Sequence, residues 1–193
     1  ECLDANTTAN FNTAVGHQTL SANTTGASNT GIGSGALYAN TTASNNVGVG
    51  YSALAANTTG INMVAVGSGA LDNNTTGVKS VAVGAYALTS NTTAERNTAV
   101  GYNCLYTATT GEHNTAMGND AGYEISTGDN NLCLGYNAGR GTSPSGSLTT
   151  SNNVVVLGDN SIAEFYCADT SISSSDSRDK TDVTNFTHGL NWI

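Results

Sequence analysis

Four cysteines, three histidines and a few acidic residues are the side chains that could carry chemistry in this 193-residue chain. Their spacing decides how much to expect. Cys2, Cys104, Cys133 and Cys167 form no Cys-x-x-Cys pair and stand near no histidine pair at metal-ligand spacing. His17, His113 and His188 are solitary. Asp120 and Glu124 come nearest to the two carboxylates that glycoside cleavage requires, but nothing around them supports that role, and solvated turn residues are the simpler reading. Tyr51, Tyr102 and Tyr136 each follow a glycine and could stack on sugars; side-chain packing between repeats or chains accounts for them more simply. No metal or cofactor is expected.

The elements that would position these residues are repeats. Gly16, Gly33, Gly50, Gly67, Gly84, Gly101, Gly118 and Gly135 stand 17 residues apart without slippage. A fixed period of this length marks a solenoid, in which each repeat buries its apolar side against its neighbours. Counting from the glycine as position 0, position −1 is Val15, Ile32, Val49, Val66, Val83, Val100, Met117 and Leu134. Position −2 is alanine or glycine until Cys133, and position −3 is Thr or Val until Leu132. Position +4 is leucine from Leu20 to Leu105, and Gly122 breaks the series. Residues two apart in a strand share a face, so positions −3 and −1 are expected inside the coil with the small residue outside. A second short strand is expected to carry the inward leucine, after a bend at the glycine. The Asn-Thr-Thr-Gly tail, as in residues 23–26, reads as a turn. The fold class is therefore all-β, a parallel β-roll.

Two other readings of Asn-Thr-Thr are weaker. Adjacent threonines in an extended strand would point opposite ways, unlike an ice-binding ladder. The triplets at Asn6, Asn23, Asn40, Asn57, Asn74 and Asn91 also match the N-glycosylation acceptor pattern, a coincidence that the turn imposes. The cysteines follow the register too. Cys2 and Cys104 take the slot of Ala36, Ala53, Ala70 and Ala87, and Cys133 that of Ala65, Ala82 and Ala99. Free cysteine serves as a small buried hydrophobe, so core filling is expected.

Composition excludes several partners. Net charge is −9, with 14 acidic and 5 basic residues, so the basic footprint that nucleic acid requires is missing. No run of 18 apolar residues suggests a membrane-spanning helix, and no leader-like segment opens the chain. Glu1 falls inside a repeat, Leu3 standing 17 before Leu20, so a longer parent chain is expected. A single roll this thin has a sparse core against an ordering cost of about 1–2 kcal/mol per residue. The row of Ala and Gly expected on its outside needs a partner surface, most simply three chains about one axis, with a dimer as the alternative. The period fails after Gly135, across a loop at 142–147, and resumes in Asn153–Gly158; Ile162–Tyr166 reads as one more strand. Three regions result: repeats over 1–141, a loop and final strands over 142–170, and a polar C-terminal segment over 171–193.

The repeat N-T-A-V-G-Y-x-x-L-x-x-N-T-T-G, over residues 1–141, resembles the head repeats of trimeric autotransporter adhesins. It resembles more the related repeats of phage tail fibres and similar surface fibres. This resemblance implies a homotrimeric, left-handed parallel β-roll, although the family's coil is commonly shorter than 17 residues. It also implies a virion or extracellular location and a glycan or protein receptor on the host surface.

Ser175-Asp176-Ser177-Arg178-Asp179-Lys180, followed by Asp182-Val183, resembles the opening of the endosialidase-type intramolecular chaperone domain. His188–Ile193 is similar to the next segment of that domain. The family's domain trimerises, templates folding of the preceding β-structure and cleaves itself off. The resemblance implies Ser175 as nucleophile and Lys180 as its base, with Asp176 and Arg178 as positioning residues. Such a pair is chemically sound, because desolvation lowers a lysine pKa enough to activate a serine. The reading is a structural fibre segment whose one reaction is its own maturation near Ser175; the alternative is a bacterial cell-surface adhesin built from the same repeats.

Overall fold

The computed structural model describes residues 1–164. Nine three-residue strands, β1 (Thr13–Val15), β2 (Thr30–Ile32), β3 (Val47–Val49), β4 (Val64–Val66), β5 (Val81–Val83), β6 (Thr98–Val100), β7 (Thr115–Met117), β8 (Leu132–Leu134) and β9 (Val155–Leu157), form one sheet. Every neighbouring pair is parallel, and β1–β8 pair in sequence order with each residue opposite its equivalent 17 positions on. Val66 lies against Val83, as the periodicity predicts. The fold is an all-β solenoid with one strand per coil, and residues Glu1–Asn160 form one compact unit.

The two faces of the strand are the reverse of the expectation. Ala65, Ala82 and Ala99 are fully buried, whereas Val66 and Val83 are each 36% exposed and Val15 57%. The reason is space. A Cβ added at Gly31 would come 2.5 Å from Thr19 Cγ2, and one at Gly48 3.2 Å from Leu37 Cγ. Over β1–β8 the interior is narrowest at position −2, so alanine, glycine or Cys133 sits there and the branched residues turn outward; β9 admits Val156 at that position.

The leucines are inside, as expected, but not on a second strand. Leu20, Leu37, Leu54, Leu71, Leu88 and Leu105 are fully buried with φ between 51° and 55°. A bulky residue in the left-handed region costs about 1–2 kcal/mol, which its burial offsets. The amide of Leu20 donates to Ala36 O of the next coil at 3.1 Å, so a run of turns links the coils here. At the marker position glycine is obligatory: Gly50 has φ +133°, and an added Cβ would lie 2.6 Å from Gly67 O.

Where the leucine series stops, the interior is refilled from another column. Gly122 lacks the side chain, and Ile125, three residues later where earlier coils carry Asn, brings Cδ1 within 3.3 Å of its would-be Cβ. In the next coil Gly139 is covered in the same way by Leu148, at 3.1 Å. The six extra residues of this coil lie between them, which is why Thr149 O still accepts from Ser126 N in coil-to-coil register. Ile162–Glu164 forms no strand; the rest of that expected strand lies outside the described residues.

Candidate functional site

The sequence offered three kinds of site: a self-cleavage motif, solitary reactive side chains, and a surface. Ser175, Asp176, Arg178, Lys180, Cys167 and His188 lie outside the described residues. Among the described residues no group of three His, Cys, Asp or Glu side chains gathers as a metal site.

The reactive side chains prove to be structural. Cys104 and Cys133 are fully buried in their alanine slots, as the register predicts, while Cys2 is exposed. Burial pushes the Cys104 thiol up to about 12 and the Cys133 thiol up to about 11, so neither is a nucleophile at neutral pH. Asp120 and Glu124 are both engaged by Arg140. Arg140 Nη1 donates to Asp120 Oδ2 at 2.9 Å, and its Nε lies 3.9 Å from Glu124 Oε1. The guanidinium also sits 4.6 Å over the Tyr123 ring, which stacks on Tyr106 at 5.1 Å. Tyr106, Tyr123 and Arg140 are 17 residues apart, so this column was legible in the register though not read from it.

The larger omission is the asparagines. They form two ladders along the solenoid axis rather than serving only as turn residues. In the first, Nδ2 of Asn40, Asn57 and Asn74 donates to Oδ1 of the asparagine one coil earlier, at 2.9, 3.2 and 2.9 Å. The same nitrogen donates to the carbonyl three residues on, closing the turn. In the second, Oδ1 of Asn12, Asn29, Asn46, Asn97, Asn114 and Asn131 accepts the backbone N–H of the next coil. Asn23, Asn40, Asn57, Asn74 and Asn91 are fully buried. Buried, hydrogen-bonded amides of this kind are closed to a glycosylating enzyme in the folded coil. The threonine that follows each is half-buried and holds the next coil too: Thr24 Oγ1 donates to Thr41 O at 3.0 Å.

What remains available is a surface. Positions −3 and −1 of nine stacked strands present a continuous outward strip, from Thr13 and Val15 to Val155 and Leu157. Along it Val15, Ile32, Val66, Val83, Met117, Val155 and Leu157 are 36–65% exposed. Beyond the glycine, Tyr51, Tyr102 and Tyr136 extend the strip at 66, 49 and 59% exposure. Tyr102 also makes an edge contact with Tyr86, at 6.2 Å between ring centres. No helix among the described residues is long and apolar enough to cross a membrane. No protein-family model, no curated protein and no solved structure matches the chain, so the strip itself is the ground for a functional reading.

Proposed function

We propose that this chain is a segment of an elongated homotrimeric fibre of the phage tail-fibre type, located on the virion outside the cell. It holds or contributes to a surface that meets a glycan or protein on the host. In this reading Ser175 and Lys180 release the C-terminal chaperone segment by self-cleavage. One observation carries the proposal: the unbroken outward row of Val, Ile, Met and Leu on β1–β9, which a lone chain leaves in water. Contiguous exposed apolar strips of this kind mark association surfaces. A closed cyclic arrangement covers such a strip on every chain at once, without leaving an end to polymerise. The flank that the partners cover is the Val/Thr row and not the alanine row, which the coil buries for itself.

Equilibrium sedimentation of the full chain tests the assembly. Wild type is expected at three times the chain mass, and Val66→Lys with Val83→Lys at one times with unchanged β-structure by circular dichroism; a wild-type monomer refutes the reading. Mass spectrometry tests the maturation. Cleavage near Ser175 should vanish in Ser175→Ala and in Lys180→Ala, and wild-type chains that stay intact under folding conditions exclude it.

A further inference from the structure

The outward strip has two unlike margins, and near β8 they match each other. On the glycine side stands Tyr136, 59% exposed. Its column holds Tyr51 and Tyr102 but also Ser34, Ser68 and Ala85, so the coil itself has no need of a ring at this position. On the other side of the same strip lies an open groove of about 310 Å³. Thr115, Leu132 and Val155 of β7, β8 and β9 form its apolar wall, and His113, Asn130 and Asn153 form its polar wall. The groove is centred on Leu132, and Tyr136 follows in that same coil.

We propose that Tyr136 of one chain docks into the His113–Asn130–Asn153 groove of a second copy, which makes β7–β9 the lock that fixes the register of the assembly. This rests on the homotrimer reading above. In a cyclic trimer every contact is heterologous: one margin of a chain meets the opposite margin of the next. Rotation about an axis parallel to the coil axis leaves height unchanged, so a ring borne by the coil of β8 arrives at the level of the neighbour's β8. The groove sits at that level. A tyrosine brings about 150–250 Å² of surface to such a contact, with a hydroxyl that wants a polar partner. The polar wall supplies one: Asn130 Nδ2 and Asn153 Oδ1 are 2.8 Å apart at the rim, beside the half-exposed His113 imidazole. At −9 per chain, an uncharged contact at the interface also avoids adding repulsion between copies.

The test is photo-crosslinking of the full chain carrying a benzophenone amino acid at position 136, folded as a mixture of isotopically light and heavy chains. The control carries the same group at position 38, where Tyr38 is 46% exposed but lies on a different column, off the strip. Light-to-heavy crosslinks at 136 are expected several-fold above those at 38, joined to peptides within 113–132 or 152–157. Crosslinks confined to one chain, or to other surfaces of a neighbour, overturn the docking and leave the trimer standing if sedimentation still gives three chains. Monomeric sedimentation overturns both.

Discussion

Asn57→Ala and Asn91→Ala remove the same side chain from the same column at the same complete burial, yet the structure assigns them different costs. Asn57 Nδ2 donates to Asn40 Oδ1 at 3.2 Å and to Gly60 O at 2.9 Å, and its Oδ1 accepts from Asn74 Nδ2 at 2.9 Å. Deleting it orphans Asn40 Oδ1 and one N–H of Asn74. Gly60 O keeps its bond from Asn46 Nδ2 at 2.8 Å. Two buried polar groups left unpaired at about 1–3 kcal/mol each give a loss of about 2–6 kcal/mol. Asn91 makes one long bond, to Ala94 O at 3.5 Å, and its Oδ1 has no partner because Ala108 stands where the next amide would be. Asn74 Oδ1 is already unpaired beneath it. Deleting Asn91 therefore removes that one long bond, leaving Ala94 O without its side-chain donor, and costs about 1 kcal/mol by the same principle. Urea unfolding followed by circular dichroism, at one fixed chain concentration so that assembly weighs equally, reads the difference. Equal shifts for the two variants would refute the ladder argument, since loss of packing alone would then account for both.

Three further outcomes follow from the same geometry. Ala82→Leu forces a large side chain into the narrow interior and should cost about 1–3 kcal/mol in the same assay, although alanine to leucine on an exposed flank would be nearly neutral. Cys104 and Cys133 should resist a disulfide-exchange reagent at pH 8 in the folded chain and react once urea unfolds it, with only exposed cysteines reacting early. Their thiols are raised from 9.0 to about 12 and about 11, so their neutral forms stabilise the fold fully below pH 9; that contribution is lost as pH climbs through the folded values. The coil boundary at Asn91 and Ala108, where the ladder ends, should open first inside the regular coils, read as faster amide hydrogen exchange around residues 91–94 than around 57–60.

The period, the strand before each glycine, the buried leucines and the slots of Cys104 and Cys133 were legible because each depends on register alone, whereas the second strand expected at the leucines is a run of turns and Cys2 is exposed. The direction in which the strand faces was not legible. Alternation says that Val66 and Ala65 point opposite ways and is silent on which way is in; the usual rule puts the larger apolar residue inside. Here it fails because Thr19 and Leu37 already fill the space opposite Gly31 and Gly48. A signal was nonetheless present. Position −4 is asparagine in six of the eight regular repeats, and position +7 in the six triplets from Asn6 to Asn91. A turn tolerates Asp, Ser or Gly in place of Asn, so such uniformity points to a side chain whose amide both donates and accepts. The groove beside β8 could not be read beforehand, because it depends on how far the turn before each strand stands out from the coil.

The inversion explains why the chain separates its two kinds of cohesion. Along the axis, coils are tied by backbone pairing and by amides that each link one coil to the next, as Asn40 does to Asn23. Amides suit this narrow interior because they gain from direction rather than from volume, and each one satisfies carbonyls that a tight turn would otherwise bury unpaired. The leucines, with Met63 and Ile125, supply the bulk there. With the interior closed in this way, Val66, Val83 and their equivalents point away from it, and in the proposed fibre their apolar surface is left for contact between chains. Substitutions in the ladder should therefore weaken folding while leaving the affinity between folded chains intact. Substitutions on the strip should do the opposite, and only mass action, in which assembly stabilises whatever folds, joins the two.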